Sequence, residues 1–288
     1  MRLRVPAIAL SALITLGLQA PAMASTGGTP DGEQHPNVGL ILAYNEDGNR
    51  YRCTATLVRD DLLLTAAHCT DGVVGKMLVT FESEIVTSST PPPESPFPSA
   101  DPKVGYTTGQ LQAAGYDSGD AHVHPEYSDF TDVDNWNDLG VVTLDVPVTD
   151  VAPATIAGLG TLDEIKKSDL SKTLFTAVGY GTEVRKPESG PQKPQPMSYP
   201  LIRRYVEMPG QKLTEQILQT NGNEHDNKGT GGTCVGDSGG PVFLDGEIVA
   251  VTSYGYTANC RYLGGYQRVD SAASQDWLAE DFGLVFTS

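Results

Sequence analysis

Three short stretches of the sequence contain residue types that together can hydrolyse an acyl bond. Ser238 lies in the stretch TCVGDSGGPV, between an aspartate and a Gly-Gly-Pro run. Glycines adopt backbone conformations that a Cβ would forbid, so neighbouring N–H groups can converge on one point. The N–H groups of Gly236 and Ser238 are therefore candidates for an oxyanion hole, which binds the oxygen of a tetrahedral intermediate. Taken alone, the stretch could also be a glycine-rich turn between two strands.

A histidine and an aspartate upstream supply the partners that a serine nucleophile needs. His68 lies in the apolar stretch LLLTAAHC, and Asp138 opens the apolar stretch DLGVV. A serine hydroxyl is a poor nucleophile at neutral pH, so it requires a base within hydrogen-bond reach. His68 can accept the proton of Ser238, and Asp138 can fix the imidazole tautomer and stabilise the cation that forms. The sequence therefore predicts a catalytic triad of these three residues.

The blocks TAAHC, NDLGVV and GDSGGPV resemble the three catalytic blocks of the trypsin/chymotrypsin-like serine peptidases and occur in the same order. The resemblance extends from about His35 to Trp277. Three other aspartates lie near the central block: Asp132, Asp134 and Asp145. Because only Asp138 has the Asn-Asp-Leu context, the resemblance favours Asp138 for the triad. It implies a serine endopeptidase that forms an acyl-enzyme on Ser238.

Two other functions are compatible with the same blocks. A serine hydrolase that acts on esters shares the machinery of a peptidase. A catalytically weak homologue that serves as a binding protein would normally lack a triad residue, and none is missing here. We therefore expect a peptidase, with an esterase-type hydrolase and a binding homologue as the alternatives.

The resemblance also identifies candidate substrate-binding residues. Gly232, six residues before the nucleophile, matches the pocket floor where trypsin-like enzymes place an aspartate. We therefore expect an uncharged slot and cleavage after large apolar or aromatic residues. An acidic preference is the alternative, because Arg261 lies near the rim. The segment from Ser253 to Gly255 resembles the strand whose backbone pairs with the peptide. The candidate set is Gly232, Thr233, Ser253, Tyr254, Gly255 and Gly264.

The four cysteines predict two disulfides, for which three pairings are available. The resemblance implies the pairs Cys53–Cys69 and Cys234–Cys260, each of which would brace a catalytic loop. Zinc binding is the competing interpretation, but no CxxC pair is present. The sequence therefore favours disulfides.

No cofactor and no metal site are expected. His122 and His124 alternate along a predicted strand, but no further spaced ligand accompanies them, so we expect solvated histidines. Glu82 and Glu84 alone do not match the calcium loop of the family.

The N-terminal residues predict export. A basic start is followed by the apolar run from Val5 to Leu18 and by an A-x-A signal ending at Ala24, as in a secretory signal peptide. The apolar run is too short to span a membrane. We expect a secreted, extracellular protein that begins at Ser25, the position that matches the start of the mature family members. In the family that the chain resembles, a newly cut aliphatic amino terminus is buried against the aspartate before the nucleophile, here Asp237. The resemblance therefore implies that export alone creates the terminus that pairs with Asp237, and we expect weaker docking than usual because Ser25 stands in place of isoleucine.

A formal net charge of −17 at pH 7 makes nucleic acid and anionic membranes improbable partners. The expected partners are protein or peptide substrates and protein inhibitors, and we expect a monomer.

Many short β-like runs separated by turn signals predict an all-β protein. The resemblance narrows this to two six-stranded Greek-key barrels with a short C-terminal helix and an active site between them. It implies that residues 1–24 are the signal peptide, that residues 25–150 carry His68 and Asp138, and that residues 151–288 carry Ser238. The other expectations are a surface excursion from Thr87 to Asp120, a short helix from Thr161 to Leu170 and a terminal helix from Ser271 to Glu280.

Overall fold

The computed structural model describes residues 28–86, 95–132, 134–184, 197–198, 201–222, 231–257, 260 and 263–286. The predicted signal peptide, Ser25 and Arg261 therefore lie outside the described residues. Within the described part, no helix is long and apolar enough to cross a membrane.

The first half of the chain forms a closed antiparallel barrel. The strands of this half of the chain are β1 (Thr29–Pro30), β2 (Val38–Asn45), β3 (Arg50–Arg59), β4 (Leu62–Thr65), β5 (Val73–Thr80), β6 (Glu84–Val86), β7 (Asp117–Val123) and β8 (Gly140–Leu144), and the helix α1 (Thr108–Ala113) precedes β7. Six of them close the barrel in the order β2-β3-β4-β8-β7-β5, because β2 pairs with both β3 and β5. Side chains alternate along β3. Cys53, Ala55 and Leu57 fill the barrel interior, so Thr54 and Thr56 face the other way.

The second half forms another barrel. Its strands are β9 (Leu174–Gly179), β10 (Glu183–Val184), β11 (Met197–Ser198), β12 (Leu201–Ile202), β13 (Arg204–Leu213), β14 (Ile217–Asn221), β15 (Pro241–Leu244), β16 (Glu247–Gly255) and β17 (Leu263–Arg268). Six strands run in the order β13-β14-β17-β16-β15-β9, and pairing of β13 with β9 closes the ring. The two six-stranded barrels confirm the predicted fold class.

The predicted terminal helix is present as α2 (Ala272–Phe282). The Ser271 hydroxyl accepts the Ser274 N–H at its start, and Gly283 ends it with a φ of 66°. Both caps are readable in the sequence, because serine favours the first position and glycine tolerates the left-handed conformation at the last.

The predicted helix from Thr161 to Leu170 is wrong. The structure has two short 3-10 turns instead, Thr161–Glu164 and Leu170–Lys172. The capping box does not form, because the N–H and the hydroxyl of Thr161, which it would pair with Glu164, both donate to the Gly158 carbonyl, at 3.3 and 2.8 Å. The next N–H, that of Leu162, donates to Asp270 at 2.7 Å. A distant carboxylate therefore replaces the local cap.

The proline-rich excursion is only partly a surface loop. It contains α1, and Phe97, Tyr106 and Leu111 are buried in a cluster with Tyr180. His124 is also not solvated: it is 5% exposed, and its ring lies 4.9 Å from that of Trp277. In both cases residues distant in the sequence cover side chains that were predicted to lie at the surface.

A buried ion pair fastens the N-terminal segment to the second barrel. The Nε of Arg203 donates to Asp31 at 2.8 Å, and both side chains are 0% exposed. The Nη1 of Arg203 donates to the carbonyl oxygens of Val38 and Phe81 at 3.0 and 2.9 Å. Arg203 therefore connects the N-terminal segment with both barrels, while β1 pairs with β13.

Candidate active site

His68 and Asp138 meet because the strands next to them are neighbours in the first barrel. Strand β4 pairs antiparallel with β8, so Thr65 lies opposite Gly140. His68 follows the end of β4 in a 3-10 turn, and Asp138 precedes the start of β8. Antiparallel pairing therefore puts the two side chains at the same edge of the barrel.

His68 is held by the carboxylate of Asp138 through three contacts, two of which involve its imidazole. The Nδ1 of His68 lies 2.9 Å from Oδ2 and 3.1 Å from Oδ1, and the backbone N–H of His68 donates to Oδ1 at 2.9 Å. Asp138 is 0% exposed, whereas the His68 side chain is 23% exposed. With the carboxylate ionised, Nδ1 carries the proton, and Nε2 has the lone pair that a base requires.

Three further residues fix the position of Asp138. The Ser253 hydroxyl donates to its Oδ2 at 2.6 Å. The Asp138 N–H donates to the side-chain oxygen of Gln267 at 3.0 Å. The preceding Asn137 has a φ of 45°, a left-handed conformation that asparagine tolerates better than most residues. This explains in physical terms why an asparagine precedes the aspartate.

A bulge in β16 directs Ser253 towards Asp138. The register between β16 and β17 shifts between Thr252 and Tyr254. Bulges turn a side chain away from its regular direction and are common next to active sites. The sequence predicted only a backbone role for Ser253, because a bulge depends on the partner strand and leaves no local signal.

Ser238 lies on a tight loop between the barrels. Gly239 has a φ of 76°, and a Cβ on it would lie 2.8 Å from the nitrogen of Ala66, so only glycine fits against the end of β4. This contact brings Ser238 close to the turn that contains His68. Among the described residues, the Ser238 hydroxyl has no hydrogen bond to His68. Catalytic hydrogen bonds are often long before substrate binds.

Two backbone N–H groups of this loop are available to a ligand. Gly236 is buried, with a φ of 101°, and within the described part of the chain neither its N–H nor that of Ser238 donates a hydrogen bond. Asp237, between them, is 1% exposed, and its carboxylate accepts the N–H groups of Gly181 and Cys234 at 2.7 and 2.8 Å. The side chain of Asp237 thus points away from the cleft, and its hydrogen bonds stabilise the serine loop on the side that faces the protein interior.

A cavity of about 370 Å³ opens beside Ser238. Among the predicted substrate-binding residues, Thr233, Ser253, Tyr254, Gly255 and Gly264 line it, and none of its described lining residues is charged. Gly232 is not among them: it is buried against Gly222, and a Cβ on it would lie 2.8 Å from the Gly222 Cα.

Tyr266 is one of the residues that line the cavity, although its side chain is fully buried. Its hydroxyl lies 3.1 Å from that of Thr233 and 3.3 Å from that of Thr220. Burial raises the pKa of Tyr266 to about 12, so the hydroxyl stays neutral. This part of the lining therefore carries no charge.

An aromatic surface extends from His68 towards the cavity. The ring of Phe130 lies 5.8 Å from that of His68 and 5.3 Å from that of Trp136. Trp136 stacks on Tyr254 at 5.0 Å, and Tyr254 contacts Tyr256 at 5.6 Å. Phe130 and Trp136 were not among the predicted site residues, and their aromatic character next to the NDLGVV block was the available signal.

The structure contains the disulfides Cys53–Cys69 and Cys234–Cys260. One joins β3 to the turn of His68, and the other joins the loop of Ser238 to the segment before β17. The side chains of Cys53, His68 and Cys69 lie close enough together to hold a metal ion. Both sulfurs are committed to the disulfide, so this group offers only the imidazole.

Comparison with known proteins identifies the family. The Trypsin family model matches residues 29–278. A brachyurin from Leptuca pugilator is 27% identical over 242 residues, covering 82% of this chain and 89% of the relative. A trypsin from Phaedon cochleariae is 25% identical over 286 residues, covering 93% and 97%. The solved structure of HL collagenase aligns with a TM-score of 0.62 at 18% identity, over 92% of this chain and 100% of its own. Because the family model spans most of the sequence, the chain belongs to the trypsin family of serine peptidases.

Proposed function

We propose that the protein is a secreted serine endopeptidase in which Ser238 is the nucleophile, His68 the general base and Asp138 the group that orients His68. The proposal rests above all on the imidazole–carboxylate pair of His68 and Asp138 next to a serine loop with two N–H groups that donate to no acceptor in the described part of the chain. Family membership supports peptidase chemistry, and the preserved triad argues against the binding homologue.

In the proposed reaction, the Ser238 oxygen attacks the carbonyl carbon of the scissile peptide while its proton passes to Nε2 of His68. The carbon–nitrogen bond then breaks, and His68 returns the proton to the leaving amine. Water attacks the resulting acyl-enzyme by the same route, which releases the acid and restores the serine. Asp138 stabilises the imidazolium that forms in each half of the reaction.

The negative charge that develops on the carbonyl oxygen is to be bound by the N–H groups of Gly236 and Ser238. Preorganised donors of this kind stabilise the transition state more than the ground state. Removing one such donor in a serine peptidase lowers kcat by about 10²- to 10³-fold.

The substrate is proposed to add as a strand beside Ser253–Gly255, with its side chain in the uncharged cavity. The uncharged character of the described lining residues supports a large apolar or aromatic residue before the cut. The surface of Phe130, Trp136 and Tyr254 offers an apolar contact for earlier residues of the peptide. Protein inhibitors that imitate such a strand would bind the same way.

Secretion, a monomeric state and the barrel limits 25–150 and 151–288 belong to the same proposal. They are supported by the signal sequence, by the two disulfides, which are typical of oxidising compartments, and by the closure of each barrel.

The deciding experiment compares the secreted protein with Ser238→Ala on a casein digest, on a peptide amide and on the matching ester. A peptidase cleaves all three and is labelled stoichiometrically by a fluorophosphonate, and Ser238→Ala loses both properties. Cleavage of the ester alone would identify an esterase. A folded protein without labelling or turnover would identify a binding homologue.

A further inference from the structure

The side chain of Thr54 joins three segments that meet behind the serine loop. Thr54 lies on β3 and is 0% exposed. Its hydroxyl donates to the carbonyl oxygen of Gly236 at 2.9 Å and accepts the N–H of Tyr180 at 3.2 Å. Its backbone N–H donates to the carbonyl oxygen of Ser238 at 2.8 Å. One buried threonine therefore contacts both residues whose N–H groups form the candidate oxyanion hole.

Gly236 requires external support to keep its N–H group in one direction. Because glycine has no Cβ, its backbone can adopt conformations that are forbidden to other residues, so the orientation of the peptide groups on either side is poorly restrained by local sterics. In a trans peptide the carbonyl and the N–H point in opposite directions. Fixing a carbonyl oxygen therefore also fixes the N–H of the same peptide.

Both peptides next to Gly236 are fixed in this way, and both depend on Thr54. The peptide that carries the Gly236 N–H is held by its carbonyl, because Val235 accepts the N–H of Thr182 at 2.8 Å. The following peptide is held by the Thr54 hydroxyl directly. The segment from Tyr180 to Thr182 is itself attached to that hydroxyl through the Tyr180 N–H. Thr54 thus supports one peptide directly and the other through a neighbouring segment.

The neighbouring Thr56 shows that this arrangement is not a general property of the strand. Thr56 lies on the same face of β3, two residues further on, and is 1% exposed. Its hydroxyl has no hydrogen-bond partner among the described residues. The two threonines are therefore alike in burial and strand geometry but differ in whether the hydroxyl holds the serine loop.

We propose that Thr54 is a positioning residue of the oxyanion hole, which keeps the Gly236 N–H directed at the substrate through the Thr54 hydroxyl. The inference rests on the proposed peptidase function and assigns to it a residue outside the catalytic triad. It predicts that loss of the hydroxyl slows the chemical step and weakens binding of a transition-state analogue more than binding of substrate.

The test compares Thr54→Val, Thr54→Ser and the control Thr56→Val with the unaltered protein. The measurements are kcat and KM on a peptide amide and the inhibition constant of a peptide aldehyde, whose hemiacetal oxygen occupies the oxyanion hole. For Thr54→Val we expect kcat to fall about tenfold, less than for loss of an N–H donor itself, and aldehyde binding to weaken by a similar factor, with KM within twofold. Thr54→Ser should retain most of the kcat and most of the aldehyde affinity, and Thr56→Val should change neither of these two quantities.

Circular dichroism melts identify variants that fail to fold, and Thr54→Ala removes the same hydroxyl if valine is not tolerated. The inference is overturned if Thr54→Val and Thr54→Ala keep kcat and aldehyde affinity, or if Thr56→Val loses as much as Thr54→Val. An unaltered, folded protein without turnover or labelling would instead overturn the proposed function, and the inference with it.

Discussion

The hydroxyl of Ser253 lies 2.6 Å from the carboxylate of Asp138 and donates a hydrogen bond to it from the opposite barrel. Asp138 follows the loop before β8, whereas Ser253 lies on β16, so the contact crosses the cleft. This hydrogen bond keeps the buried carboxylate of Asp138 in the orientation in which it accepts the hydrogen bonds from His68. The position of the base therefore depends on the way in which the two barrels pack.

The first prediction is that Ser253→Ala lowers kcat/KM about tenfold, which corresponds to about 1.4 kcal/mol. A hydrogen bond to a charged group contributes roughly 1.5–3 kcal/mol, and part of this is recovered by the remaining contacts of Asp138. Steady-state kinetics on a peptide amide provide the measurement. The matched control is Ser118→Ala. The Ser118 hydroxyl donates to Asp145 at a distance of 2.5 Å, and this pair lies outside the active site. Equal losses in the two variants would contradict a specific role for Ser253.

The second prediction concerns the cavity. The unaltered protein should cleave peptides after Phe, Tyr or Leu with a higher kcat/KM than peptides after Arg or Lys. In Gly264→Ala the new Cβ would lie 2.5 Å from the Tyr266 hydroxyl, so the wall must shift and aromatic substrates should lose at least about tenfold in kcat/KM. Gly109→Ala is the control, since nothing lies within 4 Å of a Cβ there. A preference for Arg would refute the uncharged pocket.

The third prediction concerns the buried pair of Asp31 and Arg203. Asp31→Asn leaves the Arg203 guanidinium buried without its counter-charge, so we expect a loss of about 3–5 kcal/mol in the free energy of unfolding. Asp163→Asn is the control, because Asp163 is 64% exposed and Arg268 keeps Asp270, so the loss should stay within about 1 kcal/mol. Urea titrations at neutral pH measure both changes.

The same pair gives a pH dependence with a definite sign. Burial raises the pKa of Asp31, but hydrogen bonds from His35 and Arg203 outweigh it and hold the pKa below the ordinary value. The stabilisation should therefore be present above the unfolded pKa of about 3.9 and disappear as the pH falls through the lower folded pKa. The difference between the unaltered protein and Asp31→Asn should narrow in acid. A constant difference would show that Asp31 does not contribute through its charge.

Local patterns predicted the elements whose determinants are local. Alternating apolar residues indicated most strands, and the serine and glycine caps indicated α2. The helix from Thr161 was mispredicted because contacts from outside the segment override the capping box: Gly158 accepts the Thr161 N–H, and Asp270, far along the chain, accepts the Leu162 N–H. Phe97 and Tyr106 fell within a predicted surface excursion because the residues that cover them, such as Tyr44 and Tyr180, are distant in the sequence.

The residues of the candidate site also differ in whether local sequence or distant contacts determine their role. Short motifs placed His68, Asp138 and Ser238 at the ends of strands or on a glycine loop, so they were readable without tertiary information. Thr54 and the side-chain role of Ser253 were not, because each acts across the cleft on a residue more than a hundred positions away.

The last prediction concerns activation. Asp237 is buried, with its carboxylate bound by the N–H groups of Gly181 and Cys234, and the described chain begins at the buried Gly28. Ser25 lies outside the described residues. We predict that cleavage after Ala24 exposes the Ser25 ammonium, that this group pairs with Asp237, and that export therefore produces the active enzyme without a further cut.

An ammonium paired with a carboxylate has a folded pKa above its unfolded value of about 7.7–8.0. Its stabilisation is fully present below that value and is lost as the pH rises through the folded pKa, so activity should fall on the alkaline side. The measurements are amino-terminal sequencing of the secreted protein and the pH profile of a form with one extra residue before Ser25. The extended form should be much less active at neutral pH, because its ammonium is displaced from Asp237. A mature terminus elsewhere, or full activity of the extended form, would refute activation by export.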